Sequence, residues 1–468
     1  MTDLHHRALS SHELDYTLGA LAMHIEPLVE IKKLISYGSD DNKIIFKSSS
    51  ADLNPDRVVT IDGIPILFPA SDEKTVYTIS GGRLIFNHDL LKSAFYLLSG
   101  YQEFSQPDLR DQWGRFPYRH SIQYRLGCIQ KPLVNYYFEW IIKGLLEYAD
   151  QLKIDIRRRS PLGKITLHLT HDVDSVRYFS ARRTLYRISQ AVGLRPADMK
   201  RKFIVGNVLT AICNYLKITN KKNPYWTFDL IRNVERYFGF TSTWFFLPKV
   251  GGVFDADYDF EDDDIRQVIT RLEQQDFEIG LHGPIGTIRD GSRLKAMLAT
   301  LRRTAPKASN NTRQHFLSAD SVDTLRQMSQ AGFECDCSLG FSEHEGFRFG
   351  YCHPFRPFDP ETGQAMDIWE IPLQVMDVTL LMHRKLNSDE VFESIGRIAD
   401  ECRLFGGVFS LLWHNSTFDE KAVPGVSRLF EDVYLFLSQY SPISLTTNEI
   451  IQKMNRYSPS VSDDRRKP

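Results

Sequence analysis

The chain has 468 residues, 42% of them hydrophobic and 25% charged, which suits a folded protein of two domains or one large domain with an extension. Its 57 Lys and Arg against 59 Asp and Glu leave a formal net charge of -2, so no global basic field argues for nucleic acid as a general partner. Six cysteines form no CxxC pattern, the N-terminus lacks a basic segment followed by an apolar run, and no uncharged stretch of about 18 apolar residues occurs; a reducing, cytoplasmic setting is expected.

Residues 1–159 are expected to form an α+β unit of their own. They carry a helix-like segment from Tyr16 to Ile35, strand-like pieces at Lys43 to Phe46 and Val58 to Phe68, a helix around Asp89 to Gly100 and an amphipathic helix from Tyr136 to Leu152. The basic, Pro-containing Arg157-Arg158-Arg159-Ser160-Pro161 marks the boundary. Asp108 to Tyr118 (DLRDQWGRFPY) is dense in charged and aromatic residues; it could stack on a sugar ring, but a surface loop packed on the next domain is the favoured reading.

Ile165, Leu167 and Leu169 alternate with polar neighbours, so this run reads as a strand whose end delivers His171, Asp172 and Asp174 to a loop. Further strands are expected at Thr241 to Leu247, Phe277 to Leu281, Arg313 to Leu317, Glu334 to Ser338, Ile368 to Leu373, Val408 to Trp413 and Ile443 to Thr446, with helical periodicity in several of the gaps. Such alternation means a parallel sheet, and its length from 160 to 457 favours a barrel over an open sheet. Residues 458–468 form a polar tail.

Two stretches break the rhythm. Val176 to Tyr225 carries eleven Lys and Arg against the single acid Asp198, together with the apolar Phe203 to Leu216, a combination that suits peripheral membrane contact or an anionic substrate, with a solvated helical hairpin as the default. Asp255 to Asp264 (DADYDFEDDD) looks like a calcium loop but has Phe260 where the turn needs Gly and Arg266 where the last ligand needs Glu; it reads as an acidic loop, salt-bridged to the basic insertion.

Polar functional groups recur at the ends of successive strands: Asp172 and Asp174, then His282, His315 and His414, with Arg348 in Gly346-Phe347-Arg348. Packing alone does not account for so many, because burying each unpaired would cost a few kcal/mol. The order Thr-His-Asp-Val-Asp (170–174), Glu-Ile-Gly-Leu-His (278–282), Gly-Phe-Arg (346–348), Glu-Ile-Pro (370–372) and Leu-Trp-His (412–414) resembles the polysaccharide deacetylase superfamily, the NodB-homology carbohydrate esterases. Phe95 to Glu103 and Trp113-Gly114-Arg115-Phe116 resemble the extension preceding such domains in a bacterial subgroup.

The resemblance implies an α/β fold, a distorted (β/α)7 barrel behind the N-terminal α+β domain, that removes an acetyl group from an amino sugar or polysaccharide with a divalent metal ion, zinc first and cobalt, nickel or manganese as alternatives. It implies Asp172 as general base, Arg348 as the Arg that holds it, Asp174 and His282 as metal ligands, and His414 as general acid; Glu370 and Asp377 fall near the penultimate motif. The second His of the family's His motif is missing, since Gly286 stands four residues beyond His282. His315, on the neighbouring strand about 4.8 Å away, is the expected replacement ligand, with a His hydrogen-bonded to Asp172 or Asp174 as the alternative and His171 as a weaker rival. The expected partner is an acetylated sugar or glycan, free or lipid-linked, in cell-envelope metabolism. An amidase on another C–N substrate and a non-catalytic glycan-binding relative stay open as alternatives.

Overall fold

The structure, a computed structural model, describes residues 4–196, 201–216, 223–251 and 254–457; the polar tail lies outside them. In the N-terminal part, β1 (Ile35–Tyr37), β2 (Ile44–Phe46), β3 (Tyr77–Ser80) and β4 (Arg83–Phe86) form a small sheet in the order β1-β2-β4-β3. Helix α1 (Leu90–Leu98), buried on every side, packs against α2 (Leu133–Leu152), which contacts the sheet at β4. The expected helix from Tyr16 to Ile35 is broken. It runs only over Ser11–Leu21 and resumes briefly at Leu28–Lys32; between the two, Ile25–Glu26 pairs with Arg157–Arg158, and Pro27, which has no N–H to continue a helix, heads the second piece. The expected strand from Val58 to Phe68 is a hairpin, Val59–Ile61 paired with Ile64–Ile66 across Asp62-Gly63, both at positive φ.

The remainder is a curled parallel sheet. Its strands are β5 (Thr166–Val173), β6 (Ser242–Phe246), β7 (Glu278–Gly283), β8 (Asn311–Gln314), β9 (Cys335–Asp336), β10 (Trp369–Glu370), β11 (Val375–Met376), β12 (Val408–Leu412) and β13 (Ile443–Ser444). Each from β5 to β9 pairs with the next of these strands, β11 pairs with β12, and β12 returns to β5, every ladder parallel. The ring therefore has one seam, between β10 and β11, where Pro372 sits in the short link and cannot donate to a ladder. Taking the split β10/β11 as one strand gives seven around a distorted barrel, while β13 pairs only the start of β5. Helices such as Phe228–Phe238, Asp263–Gln274 and Ser388–Phe405 pack outside.

The side-chain alternation of β5 sets the inside and outside of the barrel. Leu167, Leu169 and His171 face the helices, whereas His168, Thr170 and Asp172 face a polar lumen, with His168 bonded to Ser410 and Thr447. The two parts of the chain share one core: a single apolar cluster runs from Leu4 through Leu97 and Phe138 to Leu437. Val134 N–H donates to Gly350 O at 2.8 Å, and Phe347 N–H donates to Ile129 O at 2.9 Å. At that crossing Gly346 has φ +144, and a Cβ there would stand 2.4 Å from Ile129 O, so the approach of the two backbones requires glycine.

Candidate metal centre

The C-terminal rim of the sheet collects the polar groups. From β5 come Asp172 and, just beyond the strand, Asp174; from β7 comes His282; after β8 comes His315; after β12 comes His414. His282 Nδ1 lies 2.8 Å from Arg313 O, an atom that only accepts, so Nδ1 carries the proton and the neutral ring keeps its lone pair on Nε2. That Nε2 lies 3.1 Å from Asp174 Oδ1 and 3.6 Å from Asp172 Oδ2. His315 Nε2 is 3.7 Å from the same Asp174 oxygen. Burial pushes the His315 imidazole down to about 4, so near neutral pH it is uncharged, the state a metal-ligating imidazole requires.

These three residues suit a divalent ion. One ligand atom from each of Asp174, His282 and His315 lies within 4.8 Å of the others. Ligands held about 2.0 to 2.2 Å from a tetrahedral ion stand about 3 to 4 Å from each other, the spacing of the two Asp174–His contacts. Asp174 Oδ1 is buried and accepts no hydrogen bond, although an imidazole nitrogen lies 3.1 Å away; the groups converge without satisfying each other. Burial raises the Asp174 carboxyl, but the imidazoles of His315 and His282 outweigh it and hold the group far below the usual carboxylate range.

His315 does not stand on a strand, as its alternation predicts. β8 ends at Gln314, and His315–Leu317 forms a single turn with Phe316 at φ 60 and Leu317 at φ 53, both in the left-handed region. Neither residue favours that conformation, which costs roughly 1 to 3 kcal/mol per residue. The N-terminal part holds it. Arg115, itself fixed by Asp111, donates to Phe316 O at 2.8 Å, and Ser318 Oγ donates to Trp113 O. Trp113 stacks on Phe316 with centroids 4.5 Å apart and planes at 10°, and Phe316 stacks on His315 at 4.2 Å and 18°. The charged, aromatic loop from Asp108 to Tyr118 is thus packed on the barrel, against the turn that aims His315.

The Asp172 carboxylate is held by an unexpected arginine. Arg313 on β8 is fully buried, donates to Asp172 Oδ1 at 3.1 Å and Thr170 Oγ1 at 2.7 Å, and donates from Nε to Cys337 O at 2.8 Å. Arg348, assigned this task by motif, is elsewhere. Its guanidinium makes a two-point pair with Glu103 at 2.7 and 2.6 Å, both residues 1% exposed, where the N-terminal part meets the barrel. The reason is geometric: Arg313 stands beside His282 in the parallel register, so it shares the lumen face with that imidazole and reaches Asp172 across the barrel interior. That lumen-facing place on β8 is the signal by which the sequence could have identified it.

His414 is oriented by Asp377, whose Oδ1 lies 2.7 Å from Nδ1 while Oδ2 accepts the His414 backbone N–H at 2.8 Å and the Thr417 hydroxyl. Burial opposes charge on His414, yet the Asp377 carboxylate prevails and pushes the imidazole up to about 10. Its Nε2 is 3.9 Å from Asp174 Oδ2. Two candidates play no part in this cluster. His171 faces the helices, with Nε2 2.9 Å from Glu235 and Nδ1 2.7 Å from Trp413 O. Glu370 accepts from Leu339 N–H and lies beside Asp336; burial and that neighbour raise it well above its ordinary value.

Residues 20–149 match a family described as a family of unknown function, DUF7033. No curated protein matches the sequence. Among solved structures the chain is similar to Puue allantoinase, at 13% identity over 64% of this chain and 93% of that one, TM-score 0.42. It is similar to the Bc1960 peptidoglycan N-acetylglucosamine deacetylase at 11% identity, over 63% of this chain and 91% of that one, TM-score 0.33. A chitin deacetylase from the fungal pathogen Colletotrichum lindemuthianum is 11% identical over 61% of this chain and 86% of that one, TM-score 0.30. All three are remote.

Proposed function

We propose that the protein is a metal-dependent hydrolase that removes an acetyl group from an amino sugar or glycan. The observation that carries this reading is the convergence of Asp174, His282 and His315 beside two separately oriented groups, Asp172 on Arg313 and His414 on Asp377. A divalent ion bound there would supply Lewis acidity, polarising an acyl carbonyl and making water a stronger acid. Asp172, fixed by Arg313 and Thr170, is placed to take a proton from that water. His414, kept protonated by Asp377, is placed to give one to the departing amine.

The test is metal analysis of the purified protein with an acetate-release screen over N-acetylated sugar nucleotides and lipid-linked sugars. One divalent ion per chain and acetate release are expected. Metal-free protein that also fails to take up zinc or cobalt would overturn the reading, whereas bound metal with release of a different acyl group or of ammonia would favour the neighbouring C–N hydrolase.

His414→Ala is expected to retain its metal and lower turnover by about 100-fold or more, the usual scale of a general acid. The pH–rate profile gives a second check. A proton held with pKa about 10 is present below that pH and lost above it, so the alkaline limb follows His414. Asp377→Asn removes the carboxylate that raises this value and should move the limb to lower pH; an unmoved limb would assign it to another group.

A further inference from the structure

The insertion that leaves the barrel after Asp174 folds as a helical hairpin of α3 (Ala181–Ala191) and α4 (Arg201–Tyr215), and several of its polar side chains turn inward. Arg187, Gln190 and Asn207 are buried, with Arg187 donating to Gln190 at 2.9 Å and Asn207 accepting from Lys421 at 2.6 Å. Ile204 and Ala211 of α4 are buried as well, but most of the other described apolar side chains point outward. On α4 and just beyond it, Val205, Leu209, Ile212 and Leu216 are exposed at spacings of 4, 3 and 4, a single stripe in which Leu209 is 58% and Leu216 64% exposed. Leu185, Ile188 and Val192 form a second exposed stripe on α3, and Leu194 beyond them is 80% exposed. Soluble helices normally turn such stripes inward, and an apolar surface repeated on two adjacent helices marks a contact surface.

Charge narrows the occupant. Arg195, Arg201 and Lys202 are exposed beside the stripes, and the segment has eleven basic residues against one acid. Asp262 and Asp264 of the acidic loop bind Arg177 at the root of the insertion, where Asp257 also accepts two backbone N–H groups. Among the described residues no helix is long and apolar enough to cross a membrane, so these helices would lie on a surface rather than span it. The hairpin is also anchored at the rim of the metal centre. Asn415, next to His414, donates to Ser175 O at 2.9 Å and Tyr225 O at 2.8 Å, clamping both ends of the insertion.

We propose that the α3–α4 hairpin docks the protein on an anionic lipid bilayer, with the Leu185 and Leu209 stripes in the headgroup–acyl boundary and the basic side chains on the lipid charges. The mouth of the site then opens close to the lipid surface. This rests on the hairpin alone and stands whether or not the metal centre deacetylates a sugar.

The test uses full-length protein and sedimentation with vesicles of phosphatidylcholine containing about one quarter phosphatidylglycerol, against pure phosphatidylcholine, at low salt and at ~0.5 M salt. Wild type is expected to partition to the anionic vesicles and to be released in part by salt. Leu209→Gln/Leu216→Gln should weaken partition by about 10-fold or more through lost apolar contact, and Arg195→Glu/Lys202→Glu by a similar factor through charge. Circular dichroism and metal content should stay at wild-type values, because these side chains are exposed. Equal partition to both vesicle types, no partition at low salt, or wild-type partition by the Leu209/Leu216 variant would overturn the proposal. So would a wild-type dimer that the same variant converts to monomer without altering vesicle partition, because the stripe would then be a contact between two copies of the chain.

Discussion

Asp174→Ala is expected to lose the divalent metal and the activity together, whereas Asp172→Asn is expected to keep the metal and lose activity by about 100-fold or more. The two carboxylates are two residues apart on the same side of the chain, yet their surroundings divide their work. Asp174 Oδ1 accepts no hydrogen bond and lies 3.1 and 3.7 Å from two imidazole nitrogens, so removing it takes away the only acidic member of the candidate ligand set. Asp172 Oδ1 already accepts from Arg313, which fixes the carboxylate for proton transfer. The asparagine keeps an acceptor for Arg313 and has no basic oxygen. Metal stoichiometry and turnover, measured on the same preparations, separate the two roles; comparable metal loss in both variants would show that the carboxylates share the ion.

Severing the Glu103–Arg348 pair should have the largest effect on stability. Both side chains are almost fully buried and joined by two hydrogen bonds, so Glu103→Leu leaves a guanidinium in the interior with Gly340 O, at 3.2 Å, as its remaining acceptor. Breaking a buried pair from one side costs about 3 to 5 kcal/mol, and Arg348→Met should cost a similar amount by stranding the carboxylate. The double variant Glu103→Leu/Arg348→Met should recover much of that loss, since apolar replacement of both partners removes the unpaired charge. Urea unfolding of the four proteins reads this directly. If Arg348→Met unfolds like wild type but loses activity, Arg348 has a role at the site that its position does not suggest.

The barrel was legible because its signals are local. The alternation of Leu167 and Leu169 with polar neighbours gives β5 its two faces, and each later strand repeats a short apolar run between helices. His282 and His414 follow from standing where such runs end. Arg313 was obscured because motif order drew attention to Gly346-Phe347-Arg348, while Arg313 shows itself only through its place beside His282 on the lumen face of the next strand. The turn at Phe316 and Leu317 has no sequence signature at all. Neither residue prefers positive φ, and the contact that fixes it comes from Arg115, 201 residues earlier. The same holds for the break at Pro27 in reverse: that signal was local and present, and the helical periodicity around it concealed it.

The stack of Trp113, Phe316 and His315 also bears on the order of biosynthesis. Translation makes the N-terminal part first, so the indole and the Arg115 guanidinium exist before the turn they hold is synthesised. His282 and Asp174 can approach each other once β5 and β7 have both paired with β6, but the third candidate ligand, His315, takes its bearing from a surface built at the start of the chain. Ligand convergence is thereby tied to the whole chain having come together. A barrel expressed from residue 160 onward would carry every candidate ligand and lack the brace for one of them, which would make the first 159 residues an assembly checkpoint for the candidate metal centre.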